Sequence, residues 1–99
     1  MTDDTRPLLV FFATEQSGPA RRMESLLAHL ARKERARLRV TRVDVAARPD
    51  LAERFRVREV PTLVLVKGKK AVARIDGRTS APRIVRMLEP HLAQDLVAV

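Results

Sequence analysis

The chain contains no cysteine among its 99 residues. That absence excludes disulfide bonds, zinc–thiolate sites, iron–sulfur clusters and cysteine nucleophiles, whatever the fold. Tryptophan and tyrosine are also absent, and the three phenylalanines lie in apolar patterns, so aromatic platforms for stacking single-stranded nucleic acid are missing. Neither a metal nor a cofactor site is predicted from this composition.

Long apolar runs are missing too. None approaches the ~18–20 residues of a membrane span, and residues 1–7 are acidic and polar, unlike a signal peptide. We therefore expect a cytoplasmic protein with no membrane association. The length predicts one domain over residues 8–93, preceded by an extended or disordered segment (1–7) and followed by a tail (94–99).

Positive charge is abundant. Twenty Lys and Arg residues face twelve Asp and Glu residues, which gives a net charge of +8. Such a surface suits acidic proteins or nucleic acid, although an excess of one sign often serves solubility alone.

Apolar periodicity predicts the element order β-α-β-α-β-β-α. The short turn Lys67–Lys70, with Gly68 at its centre, makes the last two strands antiparallel. Within the last strand, Val72 is expected to face the core. The predicted strands are Leu8–Ala13, Leu38–Val45, Leu63–Val66 and Ala71–Asp76. The first two predicted helices run from Gly18 to about Ala36 and from Pro49 to Phe55. The last helix is predicted to begin at a cap formed by Thr79 or Ser80, and Pro90 is expected to kink or end it.

Two segments carry a family resemblance: Phe-Ala-Thr-Glu-Gln-Ser-Gly-Pro-Ala at 12–20 and Val-Arg-Glu-Val-Pro-Thr-Leu-Val at 57–64. Together with the element order, residues 43–45, Lys67-Gly68 and Gly77, they resemble the thioredoxin family over about residues 8–92. The resemblance implies a three-layer α/β fold with a four-stranded mixed sheet and a cis-proline loop at Pro61. The strand and helix that open longer members are missing, which makes residues 38–45 an edge strand.

The departures from the family fall at its working residues. Ser17 and Ala20 replace the two cysteines of the Cys-Gly-Pro-Cys turn, and Gln16 replaces a tryptophan. Phe11 stands where the family often has a buried aspartate, and Glu59 where it usually has a small residue. The resemblance therefore implies the scaffold for thiol–disulfide exchange without its chemistry.

Serine is a poor substitute for those cysteines, because its hydroxyl needs a positioned base. His29 lies twelve residues along the same helix as Ser17, about 18 Å away at 1.5 Å per residue. Nothing in the sequence directs His91 toward Ser17. We expect no catalytic residue and no enzymatic activity, with helix capping as the role of Ser17.

A peptide-binding groove survives the loss of sulfur in the family pattern. In such a groove, Val60 would pair through its main chain with an extended protein or peptide segment. Basic residues around the groove, together with the helix start, favour an acidic or phosphorylated partner. The alternative is that Pro61 only shapes its loop. Carried over by position, the groove comprises Gln16, Ser17, Gly18, Pro19, Ala20, Glu59, Val60, Pro61 and Gly77, and its basic rim comprises Arg21, Arg22, Arg58 and Arg78.

Three other interpretations stay open. The segment 32–39 holds several cations that could contact nucleic acid phosphates, although Glu34 interrupts it. A weak thioredoxin-type oxidoreductase is the second alternative, and it would require a thiolate that this chain cannot form. Finally, the edge strand 38–45 could pair with a partner or with a second copy, although Arg39 and Arg42 on it discourage edge-to-edge aggregation.

Overall fold

The structure is a computed structural model that describes residues 6–14 and 18–92, with the backbone alone for residues 18–20. Within these ranges the predicted order of strands and helices is confirmed. The elements are β1 (Leu8–Ala13), α1 (Gly18–Lys33), β2 (Arg39–Asp44), α2 (Pro49–Arg54), β3 (Thr62–Lys67), β4 (Lys70–Asp76) and α3 (Ala81–Leu88), followed by a 3₁₀ turn (Glu89–His91).

The four strands form one mixed sheet in the order β2-β1-β3-β4. Strand β1 pairs parallel with β2 and antiparallel with β3, and β3 pairs antiparallel with β4. The central position of β1 agrees with its continuous apolar sequence, because a strand covered on both faces has no solvent side. The predicted edge position of β2 is confirmed.

Side chains of β1 alternate between two apolar layers. Leu9, Phe11 and Ala13 pack with residues of α1 and α3 on one face of the sheet. Val10 and Phe12 pack on the other face with the partly buried side chains around α2. The period of two along a strand produces this division, which completes the three-layer arrangement.

Helix α3 begins and ends where the sequence predicts. Ser80 is its N-cap, and the Ser80 hydroxyl accepts a hydrogen bond from the Arg83 N–H at 3.4 Å. Pro82 lies in the first turn, where a missing N–H costs nothing. Before Pro90 the α-helix gives way to the 3₁₀ turn.

Two local expectations were wrong. Val72 is 39% exposed, because the β3–β4 register shifts between Leu65 and Val66 and the resulting irregularity disturbs the inward–outward alternation. Helix α1 ends at Lys33 rather than near residue 36. There the chain turns toward β2 as the Glu34 carbonyl accepts the next backbone bonds, including one from the Arg37 N–H at 2.8 Å.

A left-handed residue ends α2. Arg56 has φ +55°, and its N–H donates to the Glu53 carbonyl while the Val57 N–H donates to the Ala52 carbonyl. This pair of bonds is the Schellman arrangement, in which glycine usually occupies the left-handed position. Arg74 on β4 fixes the same helix end, because its guanidinium donates to the Phe55 carbonyl at 2.8 Å and to the Arg56 carbonyl at 3.2 Å.

Replacing Arg56 by glycine should stabilise the protein. A left-handed conformation costs an L-residue about 1–2 kcal/mol, and part of this gain is offset by the larger unfolded-state entropy of glycine. We expect about 0.5–1 kcal/mol of added stability, seen as a rise of about 2–8 °C in Tm. Arg54→Gly is the matched control and should lower Tm, because Arg54 is helical. Equal changes in both variants would contradict this account of the helix end.

Candidate functional site

The segments that contain the predicted groove residues lie at one edge of the sheet. The pairs Phe12–Thr62 and Thr62–Asp76 set the end of β1, the start of β3 and the end of β4 side by side. The chain leaves β1 toward α1 at this edge, enters β3 from Pro61 and leaves β4 at Gly77. Strand register therefore brings together loops that are far apart in the sequence.

The loop before β3 is anchored through its own backbone. The Val60–Pro61 peptide bond is cis, which confirms the expected cis-proline loop, and Pro61 is buried. The Gly77 N–H donates to the Pro61 carbonyl at 2.8 Å. On the other side of the proline, the hydroxyl of the fully buried Thr62 donates to the Glu59 carbonyl at 2.7 Å.

Val60 sits between these two anchors and keeps its own main chain available. It is half-buried, and no described residue forms a hydrogen bond with its N–H or its carbonyl. An extended chain running beside the loop could use both groups, as added strands do. Val60 is the position at which the resemblance implies backbone docking, and both of its backbone groups lack a partner among the described residues.

Gly77 combines a positive φ with a close side-chain neighbour. Its φ is +83°, and a Cβ at this position would lie 3.1 Å from the Glu59 Oε2. The Glu59 carboxylate therefore lies against the glycine backbone, between the cis-proline loop and the exit from β4. These contacts bring Glu59, Val60, Pro61 and Gly77 into one place.

A shallow pocket of about 230 Å³ lies beside the loop. It is lined by Val45, Val57, Arg58, Glu59 and Val60. Val45 and Val57 were not among the predicted groove residues. The signal for Val57 was its place in the segment 57–64, and the signal for Val45 was an apolar residue directly after β2.

The basic rim is only partly placed by these contacts. Arg58 lines the pocket, and both Arg58 and Arg78, which follows Gly77, are exposed. Arg21 and Arg22 are exposed on α1. For these four guanidinium groups, the described part of the chain supplies no carboxylate within ion-pairing distance.

The predicted turn contributes three residues to α1. Gly18, Pro19 and Ala20 form the backbone start of α1. Gln16 and Ser17, the two remaining predicted groove residues, lie outside the described residues.

The structure also bears on the alternative chemistries. His29 is exposed on α1, and the His91 carbonyl accepts a bond from Lys67 at 3.2 Å. Among the described residues, no three His, Asp or Glu side chains are grouped closely enough to hold a metal. Over residues 6–14 and 18–92, no helix has the length and apolar character needed to cross a bilayer.

The basic segment 32–39 is less free than its sequence indicates. The Arg37 guanidinium pairs with the Glu34 carboxylate at 2.7 Å, and the Arg39 guanidinium donates to the Arg6 carbonyl at 3.1 Å. Arg32, Lys33 and Arg35 are the exposed cations of this segment. The nucleic-acid alternative thus gains no specific support from the fold.

Comparison with known proteins agrees with the observed fold. The family model described as Thioredoxin matches residues 1–90. The chain belongs to the thioredoxin family. Thioredoxin of Mycobacterium tuberculosis (strain H37Rv) is 32% identical over 83 residues, which are 84% of this chain and 72% of the relative.

Two further relatives extend the comparison. The bifunctional thioredoxin reductase/thioredoxin of Mycobacterium leprae is 32% identical over 83 residues, so 84% of this chain matches 18% of that longer protein. The crystal structure of the germline-specific thioredoxin Deadhead of Drosophila melanogaster superposes with a TM-score of 0.82 at 28% identity, covering 89% of this chain and 83% of Deadhead. The thioredoxin fold is therefore present in a chain that has no cysteine.

Gly77→Ala should destabilise the thioredoxin domain through backbone conformation rather than through contact with Glu59. A left-handed φ costs alanine about 1–2 kcal/mol, whereas the Glu59 carboxylate is the free end of an exposed side chain and can move aside. The matched control is Gly68→Ala, at φ +59° with no neighbouring atom within 4 Å.

Urea unfolding at constant m-value measures both variants. The two costs should agree within about 0.5 kcal/mol, the usual scatter of independent sites. If Glu59→Ala restored most of the stability lost in Gly77→Ala, steric contact would be the cause and this explanation would be wrong.

Proposed function

We propose that this thioredoxin-family protein is redox-inactive and binds an extended segment of a partner protein at the edge formed by residues 59–61, Gly77 and the start of α1. The observation that carries the proposal is the available main chain of Val60, held in an anchored cis-proline loop in a chain without cysteine. The role is that of an accessory or chaperone-like binding module.

Redox inactivity follows from the chemistry of the replacement residues. Thiol–disulfide exchange proceeds by attack of a thiolate on a disulfide sulfur, and no residue of this chain can supply a thiolate. A helix N-terminus contributes up to about 2 kcal/mol, or less than ~1.5 pKa units, which cannot ionise a serine hydroxyl near neutral pH. Family membership therefore does not bring the family's reaction with it.

Binding at this edge would use the main chain of Val60, the pocket beside it and two exposed arginines. The N–H and carbonyl of Val60 would pair with the partner's main chain, as a short piece of added strand. The pocket beside Val60 and Val57 would receive an apolar side chain of the partner. Arg58 and Arg78 would then favour carboxylates next to that side chain, because charge-assisted bonds to guanidinium are stronger than neutral ones.

The pure protein should show no thiol–disulfide oxidoreductase activity. In an insulin-reduction assay with dithiothreitol, precipitation should occur at the rate of dithiothreitol alone. The matched control is Ser17→Cys/Ala20→Cys, which restores both sulfurs of the turn on the same scaffold. Turnover by the wild-type chain above the blank would contradict the redox-inactive assignment.

Thr62 tests whether the loop is the docking surface. A partner recovered by affinity capture would be titrated against wild-type protein, Thr62→Val and Thr62→Ser. Removing the buried hydroxyl releases the Glu59 carbonyl, so Thr62→Val should weaken binding severalfold and lower stability by about 1 kcal/mol. Thr62→Ser keeps the hydroxyl and should bind nearly as the wild type does.

The same titration tests the basic rim. Replacing Arg21, Arg22 and Arg58 together by Gln should lower affinity and flatten its dependence on salt, because screened charge pairs contribute less at high ionic strength. Replacing the exposed cations Arg32, Arg83 and Arg86 together by Gln removes the same net charge and is the matched control. Binding that is unchanged in both Thr62→Val and the triple Gln variant would overturn the proposed function.

A further inference from the structure

The edge strand β2 presents main-chain groups to solvent in a fixed pattern. The N–H groups of Arg39 and Val45 donate toward the β1 side of the sheet at 2.9 and 3.1 Å. Backbone groups alternate in direction along a strand, so those of Val40 and Arg42 point away from β1. No described residue forms a hydrogen bond with the N–H or carbonyl of Val40 or Arg42.

Apolar pockets flank this edge on both faces of the sheet. On the α1 face, a pocket of about 200 Å³ is lined by Phe11, Leu27, Ala28, Ala31, Val40 and Thr41, with the Glu24–Arg42 ion pair at its polar end. On the α2 face, a pocket of about 330 Å³ starts at Val43 on β2 and extends across the sheet to Val66 on β3, with Leu51 and Phe55 in its lining. Successive side chains of an added strand point to opposite faces, so each pocket would receive alternate residues.

The charged residues near the β2 edge indicate which kind of segment could bind there. Arg54 and Lys69 line the pocket on the α2 face, which has no carboxylate in its lining, and neither cation has an ion-pair partner among the described residues. Arg42 is already paired with Glu24 at 2.9 Å. An occupant with acidic ends would neutralise Arg54, whereas Lys69 belongs to the β3–β4 turn, two strands away from β2.

We propose that β2 binds an extended segment of a partner protein as a fifth strand, a short β-branched apolar run flanked by acidic residues. Main-chain pairing with Val40 and Arg42 would supply affinity, and the two pockets would select apolar residues on both faces. A strand that is covered on both faces has a continuous apolar sequence. The partner segment is therefore expected to be apolar at every position of its central run. This surface uses different backbone groups from those of the cis-proline loop.

A second copy of this chain fits the edge less well than such a segment. In a symmetric antiparallel pair, outward-facing residues of β2 meet each other. The Asp44 carbonyl already accepts the Ala47 and Arg48 N–H groups, so the registers left within the strand set Arg42 opposite Val40 or a second Arg42. The second chain would bring the same cations toward Arg54 and another net charge of +8. Like charges across a strand pair are destabilising.

The test is a titration with a blocked decapeptide, Asp-Glu-Asp-Val-Ile-Val-Val-Asp-Glu-Asp, followed by isothermal calorimetry and by amide exchange of β2. We expect saturable binding and protection of the Val40 and Arg42 amides. Two altered peptides separate the contributions. Lys in place of the six acidic residues, and N-methylation of alternate residues in the apolar run, should each weaken binding at least about tenfold.

Arg42 supplies a matched pair of protein variants. Arg42→Pro removes the outward N–H, and because that N–H does not serve the β1 ladder, the sheet should tolerate the change. Arg42→Gln loses the ion pair with Glu24 but keeps the N–H. Circular dichroism establishes that both variants fold. Arg42→Pro should lose at least about tenfold in affinity, whereas Arg42→Gln and Thr62→Val should bind nearly as the wild type does.

Three results would overturn the proposal. Equal affinity of Arg42→Pro and Arg42→Gln would place binding elsewhere, and equal affinity for the acidic and Lys-flanked peptides would remove the charge argument. Sedimentation showing a dimer with protected β2 amides before any peptide is added would assign the edge to a second copy. Because Thr62→Val leaves this site intact, failure here is distinguishable from failure of the proposed groove.

Discussion

The position of β1 at the centre of the sheet determines most of what surrounds it. Its side chains alternate between the α1–α3 layer and the α2 layer, so the strand is buried from both sides. A one-residue slip against either neighbour would move every one of these side chains to the opposite layer. The register with β3 is therefore strongly specified, and that register places Phe12 opposite Thr62, the residue that follows the cis-proline.

The loop edge is an arrangement that does not depend on sulfur. Its parts are held by the Thr62 hydroxyl, by the Gly77 N–H and by the packing of Pro61. None of these contacts involves the two positions that carry cysteine in the family pattern. The surface at which we propose docking therefore keeps its contacts in a chain that has no cysteine.

Local sequence signals predicted the fold well, because they act within one element. The apolar run of β1, the Ser80 cap and Pro90 each determine structure through neighbouring residues. Val72 was misjudged because the irregularity that exposes it arises from the pairing of two strands. The clamp of Arg74 on the end of α2 joins residues 19 and 18 positions apart, so no local pattern indicates it.

Only part of the candidate site could be predicted from the sequence. Motif spacing located Glu59, Val60, Pro61 and Gly77, since the family pattern fixes their order along the chain. The pocket residue Val45 depends instead on the packing of the end of β2 against the loop. The exposed edge of β2 could be predicted from strand order, whereas its two flanking pockets depend on side-chain volumes from three layers.

The central claim is that the cis-proline loop of this thioredoxin-family chain docks an extended partner segment without exchanging electrons with it. The most direct measurement is an amide chemical-shift map of the ¹⁵N-labelled protein during titration with a captured partner segment whose cysteines are replaced by serine. The account predicts saturable shifts that are largest at residues 58–62 and 76–78. Absence of binding by the sulfur-free segment, or shifts confined to the outer surfaces of α1 and α3, would contradict it.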